Sequence, residues 1–330
     1  MPRAPLGRFP TPIEKADTLA RAIGVRALYI KRDDRSAEPY GGGKPRKLEL
    51  FLGQALAEGK KEVITVGSVG SHHAFATALY ARKLGLETTL LLLPQPPSAE
   101  VRDILLGCAK QGAKLILVGT YGEAERRAAR AEAASYIPAG GSSPLGNMGF
   151  VNAAFELKAQ VDRGVMPPPD DIYIALGTLG STVGLAIGLK AVGLRARIVA
   201  VRASSPGTSS RRALARMYIE TVELLRRHDR TFPRVELEPD DILIAGDYLG
   251  AGYAEPTIKG SRAIELAKKH GLELEHTYTA KAMAALIDRG RREPERIALY
   301  WHSHAAQPID VAGIDIGALP AELRSYARAP

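Results

Sequence analysis

Short apolar runs alternate with amphipathic stretches from one end of the chain to the other. Residues 27–31, 63–66, 88–93, 114–118, 172–176, 198–201 and 297–300 are brief, aliphatic and bounded by turn residues, so they read as strands. Residues 46–57 and 73–84 carry apolar positions at helical spacing and predict amphipathic helices. Alternation of this kind predicts an α/β fold of parallel sheets covered by helices on both faces. The punctuation suggests two such sheets. Tyr136-Ile137-Pro138-Ala139-Gly140-Gly141-Ser142-Ser143-Pro144 is rich in breakers, and Pro167-Pro168-Pro169-Asp170-Asp171 reads as an exposed loop leading into a strand. A large lobe of residues 1–45 and 156–330 and a small lobe of 46–155 are expected.

Composition narrows the class. Of 330 residues 45% are apolar, enough for a large core in two lobes, and 25% are charged, as in ordinary globular proteins. The longest apolar run, around Leu90–Leu93, stops at Pro94 and is far too short to span a membrane. Met1-Pro2-Arg3-Ala4-Pro5 has no apolar stretch behind its basic residue, so no secretory signal is expected. A single cysteine, Cys108, cannot form an internal disulfide and fits a reducing compartment, hence a cytoplasmic protein. The net charge of +9 is dispersed as arginine among alanine, as in Glu125-Arg126-Arg127-Ala128-Ala129-Arg130, and aromatics are 6%. That argues against a nucleic-acid partner and for a solvated surface that attracts small anions.

Four groups of residues carry candidate chemistry. Gly41-Gly42-Gly43-Lys44 sets a lysine at a helix start, where the positive end of the dipole favours the neutral, nucleophilic amine. The plain alternative is a flexible turn with a surface lysine, and Lys47, one turn on, competes for the same role. Gly67-Ser68-Val69-Gly70-Ser71-His72-His73 follows a strand and opens a helix, a place where amides and the Ser71 hydroxyl bind a carboxylate or phosphate. Adjacent histidines point about 100° apart on a helix, so no metal site is expected. Leu176-Gly177-Thr178-Leu179-Gly180-Ser181-Thr182-Val183-Gly184 suits a cradle for one phosphate, since it has neither dinucleotide spacing nor a P-loop lysine. Finally, Tyr253 and Tyr278 stand on segments that look like loops over a cleft, with Trp301-His302-Ser303-His304 following a strand.

Taken in order, these segments resemble the pyridoxal-phosphate enzymes that include 1-aminocyclopropane-1-carboxylate deaminase and D-cysteine desulfhydrase, on the tryptophan-synthase-β type of fold. The resemblance runs along nearly the whole chain. Its carriers are Pro10-Thr11-Pro12-Ile13-Glu14, Ile30-Lys31-Arg32-Asp33-Asp34, Gly41 through Glu49, Gly140 through Gly146, and Tyr278-Thr279-Ala280-Lys281-Ala282-Met283.

The resemblance implies that Lys44, and not Lys47, binds pyridoxal 5′-phosphate as an imine and shuttles protons. It implies that Ser71, with the amides of His72 and His73, holds the substrate carboxylate, and that His72 stands where the family bonds the cofactor's ring hydroxyl. Gly177, Thr178, Leu179, Gly180, Ser181 and Thr182 would cradle the phosphate, Tyr253 and Tyr278 match the active-site tyrosines, and Thr279 or Ser303 would face the pyridine nitrogen. The implied reaction is α,β-elimination from a small amino acid such as D-cysteine to pyruvate and ammonia, in a homodimer. Ring opening of 1-aminocyclopropane-1-carboxylate, β-replacement or racemisation, and a non-catalytic ligand-binding relative are the rival expectations.

Several positions depart from the family pattern. His72 replaces asparagine, Gly43 replaces the asparagine before the lysine, Leu179 replaces a glycine of the cradle, and His304 adds bulk near the ring. The deaminase branch has glutamate where this chain has Thr279, as the desulfhydrase branch does.

Overall fold

Two sheets, of six and four strands, carry the chain in the computed structural model, which describes residues 1–305 and 307–328. The strands are β1 (Ile13–Lys15), β2 (Ala27–Lys31), β3 (Glu62–Ser68), β4 (Glu87–Leu93) and β5 (Lys114–Leu117). They continue as β6 (Ser135–Ile137), β7 (Asp171–Leu176), β8 (Arg197–Arg202), β9 (Ile242–Ala245) and β10 (Ile297–Trp301). The helices are α1 (Asp17–Ile23), α2 (Lys44–Ala57), α3 (His72–Lys83), α4 (Ala99–Lys110), α5 (Tyr121–Ala129) and α6 (Pro144–Asp162). After them come α7 (Gly180–Ala191), α8 (Arg211–His228), α9 (Ile258–Lys269), α10 (Thr279–Gly290) and α11 (Arg324–Ala327).

The chain divides into two units. One comprises Met1–Leu6, Lys47–Gly141 and the segment from Gln307, and contains the four-stranded sheet, in the order β5-β4-β3-β6 and parallel throughout. Both chain ends belong to it. Ala4 N–H donates to Glu49 O at 2.8 Å, Leu6 N–H donates to the Glu49 carboxylate at 3.0 Å, and α11 packs on α4. Ile64, Val66 and Leu91 bury one face of this sheet against Ala124 and Ala128 of α5.

The other unit comprises Gly7–Arg46 and the stretch that starts at Ser142 and ends before Gln307. Its sheet has the order β1-β2-β10-β7-β8-β9; β1 runs antiparallel to β2, and the remaining pairs are parallel. Side chains of β8 alternate between two cores. Ile198 and Ala200 pack with α6, α7 and α8, whereas Val199 and Val201 pack with α1, α9 and α10. Burial on both faces explains why β7 and β8 are apolar between their ends. Each buried aliphatic side chain contributes about 1.5–3 kcal/mol. Helices α6 and α7 approach closely because Gly184 has no side chain; a Cβ there would lie 2.2 Å from Asn147 O. That contact sets how closely α7 lies against α6.

The expected strands and helices are present, with shifts at their ends. Helix α2 starts at Lys44, two residues before the predicted start, and so takes the lysine into its first turn. The predicted sequence pattern omits β1, β6 and β9, which are three, three and four residues long and too short to show a period. Among the described residues no helix is long and apolar enough to cross a membrane.

Candidate active site

Lys44 stands at the first position of α2, behind a glycine turn that the backbone holds on both sides. Gly42 N–H donates to Asp33 O at 2.8 Å, and Gly43 N–H donates to Ser303 O at 3.0 Å. Gly42 has φ +86°, and a Cβ there would lie 2.8 Å from Ser303 O, so only glycine fits. At Gly43 a Cβ would meet Phe150 Cζ at 3.1 Å, a ring that leaves little room for the asparagine of the family pattern. Among the described residues the Lys44 amine has no hydrogen-bond or ion-pair partner, and burial lowers its pKa to about 8. Roughly one amine in ten is then neutral at pH 7, against roughly one in three thousand for an ordinary lysine. The competitor Lys47 belongs to the other unit, where its buried Nζ donates to Gly140 O at 3.1 Å.

Two residues after Lys44, Arg46 anchors α2 in a buried charged network. Its guanidinium donates to Asp33 at 2.7 and 2.8 Å and to Glu156 at 2.9 Å. Asp33 also accepts from Trp301 Nε1 at 2.7 Å and from the Thr11 hydroxyl at 2.8 Å. Lys31 Nζ donates to Glu156 at 2.5 Å, Gln160 at 2.6 Å and Thr11 O at 2.7 Å. Burial works to raise the pKa of Glu156, but Arg46 and Lys31 outweigh it and hold the group at about 2. Arg46 and Glu156 are thus both charged at neutral pH, and each is hydrogen-bonded, which is the condition for tolerating buried charge.

The predicted cradle, 177–182, joins β7 to α7. Leu179 occupies the helix-capping position with φ +74° and ψ −37°, and its own side chain offers no cap. Gly180 N–H donates to Thr178 O at 3.0 Å, closing a three-residue γ-turn around Leu179, and to Ser142 Oγ at 3.2 Å. Ser142 and Thr178 share a hydrogen bond of 2.7 Å, and Ser204 Oγ donates to Gly177 O at 2.8 Å. Leu179 sits in the left-handed region that favours glycine, while its side chain is buried in the core shared by α6, α7 and α8. The hydroxyl of Thr182 is buried and has no hydrogen-bond partner among the described residues.

Tyr253 and Tyr278 do meet, hydroxyl to hydroxyl at 3.0 Å, with rings edge to face. Gly177 leaves the room: a Cβ there would lie 3.2 Å from Tyr278 Cε1. Glu275, absent from the sequence reading, organises the start of α10. Its carboxylate accepts from the amides of Thr277, Tyr278 and Thr279 at 2.7, 3.0 and 2.6 Å. The two hydroxyls expected near a pyridine nitrogen differ. Thr279 is buried, donates to Glu275 at 2.9 Å and accepts from Glu275 N–H at 2.9 Å, so its one proton is committed. Ser303, whose carbonyl holds Gly43, has no partner for its hydroxyl among the described residues. Beside it His302 is buried against Tyr300, and burial lowers its pKa to about 4, so the ring is neutral at neutral pH.

Ser71, His72 and His73 stand at the start of α3 in the four-stranded unit. Ser71 Oγ accepts from Ala74 N–H at 3.2 Å and caps the helix. His73 is buried; its Nε2 lies 3.0 Å from Thr65 Oγ1, which donates its proton to Ile137 O at 2.7 Å. His73 therefore carries its hydrogen on Nε2 and packs as a core side chain. His72 was expected at the ring hydroxyl of the cofactor. In the structure its Nε2 pairs with Glu100 Oε1 at 2.8 Å, because α4 begins with a carboxylate within reach. No cluster of three metal-ligating side chains occurs among the described residues.

A phosphorylated aldehyde fits the six-stranded unit on its own features. The unpartnered amine of Lys44 suits an imine, the start of α7 with the orphaned Thr182 hydroxyl suits a phosphate, and Ser303 offers an uncommitted donor. The model of the pyridoxal-phosphate dependent enzyme family matches residues 5–302, and the chain belongs to that family. Among its relatives, D-cysteine desulfhydrase of Klebsiella pneumoniae subsp. pneumoniae is 32% identical over 92% of this chain and 94% of its own. Nocardicin C-9′ epimerase of Nocardia uniformis subsp. tsuyamanensis is 32% identical, covering 99% of this chain and 98% of its own. A solved structure described as an ACC deaminase homologue superposes with a TM-score of 0.80 at 30% identity over 93% of each chain.

The fold class is thus as expected, and so is the cofactor. Ser142, Ser204, Glu275 and Lys281 are the site-supporting residues that sequence reasoning missed. Ser142 lay inside a quoted motif and Lys281 inside another, but nothing in either pattern tells which backbone group a side chain will reach.

Proposed function

We propose that this protein is a lyase that eliminates the β-substituent of a small amino acid such as D-cysteine, giving pyruvate and ammonia. The observation that carries the reading is the half-buried Lys44 amine, neutral enough to act as nucleophile and base, at the end of a rigid glycine turn. The similarity to D-cysteine desulfhydrase over most of both chains supports the choice of reaction. Bound pyridoxal phosphate supplies an electron-withdrawing ring that makes the substrate's Cα proton acidic.

The chain's own residues divide the remaining work. Residues 177–182 would hold the phosphate and Ser303 would donate to the ring nitrogen; Thr279, with its proton committed to Glu275, supports the turn instead. Lys44 would take the Cα proton. Tyr253 and Tyr278, sharing one hydrogen bond, would hand a proton to the departing β-substituent. Ser71 and the amides of His72 and His73 would bind the substrate carboxylate. The six-stranded unit is then the cofactor-binding lobe. We take the active protein to be a cytoplasmic homodimer, a state that sedimentation would test.

Apoprotein mixed with pyridoxal phosphate should develop the visible absorption band of a lysine-bound cofactor. Its rate of formation should climb as pH rises through about 8, because the reactive amine is the deprotonated one. A band that survives Lys44→Ala would sink the proposal. Pyruvate from D-cysteine, against 2-oxobutanoate from 1-aminocyclopropane-1-carboxylate, separates elimination from ring opening.

A second reading, epimerisation, is favoured by the near-complete overlap with nocardicin C-9′ epimerase. It predicts Cα–H exchange with deuterated solvent without release of ammonia.

A further inference from the structure

Tyr253 and Tyr278 reach each other from different elements. Tyr278 occupies the position before α10, where its backbone amide is held by Glu275. Tyr253 lies on the connection between β9 and α9, whose backbone is intrinsically loose. That connection contains Gly246, Gly250 and Gly252, and both Gly250 and Ala254 adopt positive φ, +71° and +61°. Ordering such a segment costs about 1–2 kcal/mol per residue, so something must hold it.

The side chain of Lys281, one turn along α10 from Tyr278, crosses to this segment. Its Nζ donates to Leu249 O at 2.9 Å and to Gly252 O at 3.3 Å, the second being the carbonyl directly before Tyr253. Lys281 is fully buried, and no carboxylate lies within ion-pair distance of it among the described residues. Burial lowers its pKa below the ordinary lysine value, although Glu275 and Glu255 pull the other way. An ammonium buried on carbonyls alone is costly, and a methionine would fill the same space without that cost. A lysine here is therefore hard to explain as core packing.

We propose that Lys281 is a positioning residue, its buried ammonium clamping the Leu249 and Gly252 carbonyls so that the Tyr253 hydroxyl stays against that of Tyr278. The proposal rests on the reading that this tyrosine pair serves the reaction.

Hydrogen exchange and steady-state kinetics on the holoenzyme test the two separately. In Lys281→Met, amides 249–254 should exchange about tenfold faster or more, with β7 and β8 unchanged. With D-cysteine, kcat should fall about 10- to 100-fold at a KM within about threefold of the parent. The Lys281→Met, Tyr253→Phe double variant should be no slower than Tyr253→Phe alone, since Lys281 acts through Tyr253. Lys281→Arg, which keeps the donors, should recover part of both readouts. If the methionine variant does not fold, Lys281→Gln reads the same exchange with an uncharged donor. Unchanged exchange at 249–254, or losses that multiply in the double variant, would overturn the clamp. Faster exchange with an undiminished kcat in Tyr253→Phe would leave the clamp standing and remove the catalytic reading of the tyrosines.

Discussion

The chain makes the turn from a parallel strand into a helix at β3–α3 and again at β7–α7, and it finishes the two turns differently. At β3–α3 the capping residue is Ser71, extended at φ −82° and ψ 111°, with its oxygen on Ala74 N–H. That junction supplies its own cap. At β7–α7 the capping position holds Leu179, at positive φ and with no oxygen to offer, and the buried Thr182 hydroxyl one turn on has no partner among the described residues. The first amides of any helix lack intrahelical acceptors; here Gly180 N–H is met by Thr178 O and Ser142 Oγ, and the Thr182 hydroxyl is the group left unsatisfied. The contrast teaches that a strained, under-satisfied turn is better evidence for an anion site than a glycine-rich sequence alone. The sequence motifs at 67–73 and 177–182 look equally suited to the role.

Leu179 gives the largest expected effect. Leu179→Ala keeps the strained backbone and loses a buried side chain, at a cost of about 2–5 kcal/mol in unfolding experiments. Leu179→Gly loses the same side chain but relieves roughly 1–3 kcal/mol of strain, so it should be the milder change. Elsewhere in a folded chain glycine is normally the worse replacement. An alanine variant as stable as the glycine variant would show that the turn is not strained.

Thr182→Val tests whether the orphaned hydroxyl awaits a phosphate. Cofactor affinity should fall about tenfold, the equivalent of one charge-assisted hydrogen bond, while the melting temperature of the apoprotein holds or rises. A matched fall in apoprotein stability would mean that the hydroxyl already has a partner in the protein.

At the other junction, Ser71→Ala should cost about 1 kcal/mol of stability, the ordinary value of a lost cap. Ser71→Asp restores the cap but sets a negative charge where a substrate carboxylate is proposed to bind. It should therefore recover stability and still raise KM. Equal KM values for Ser71→Asp and the parent would remove Ser71 from substrate binding.

How much of this was legible in the sequence follows from the range of the interactions. Alternating strands and helices are local patterns, and 172–176 followed by small residues announces a strand and a turn. Choosing Lys44 over Lys47 needed family resemblance, because one helical turn separates them and spacing treats both alike. The physical difference is that Lys47 spends its amine on Gly140 O, ninety-three residues away. Thr279 and Ser303 look alike in sequence for the same reason; only the fold gives the Thr279 proton to Glu275. His72 stands where the family pattern has an asparagine, and its pairing with Glu100 depends on where α4 begins. The positive φ of Leu179 contradicts its residue type, so no propensity could have foretold it.

One carboxylate has a mechanical consequence. Asp33 grips Arg46 on α2 and Trp301 at the end of β10, while its own carbonyl holds Gly42. The lysine precedes the first of these grips by two residues, and Ser303 follows the second by two. Helix and strand are therefore tied to one carboxylate, and a variant that loses it should loosen the glycine turn and the strand end together.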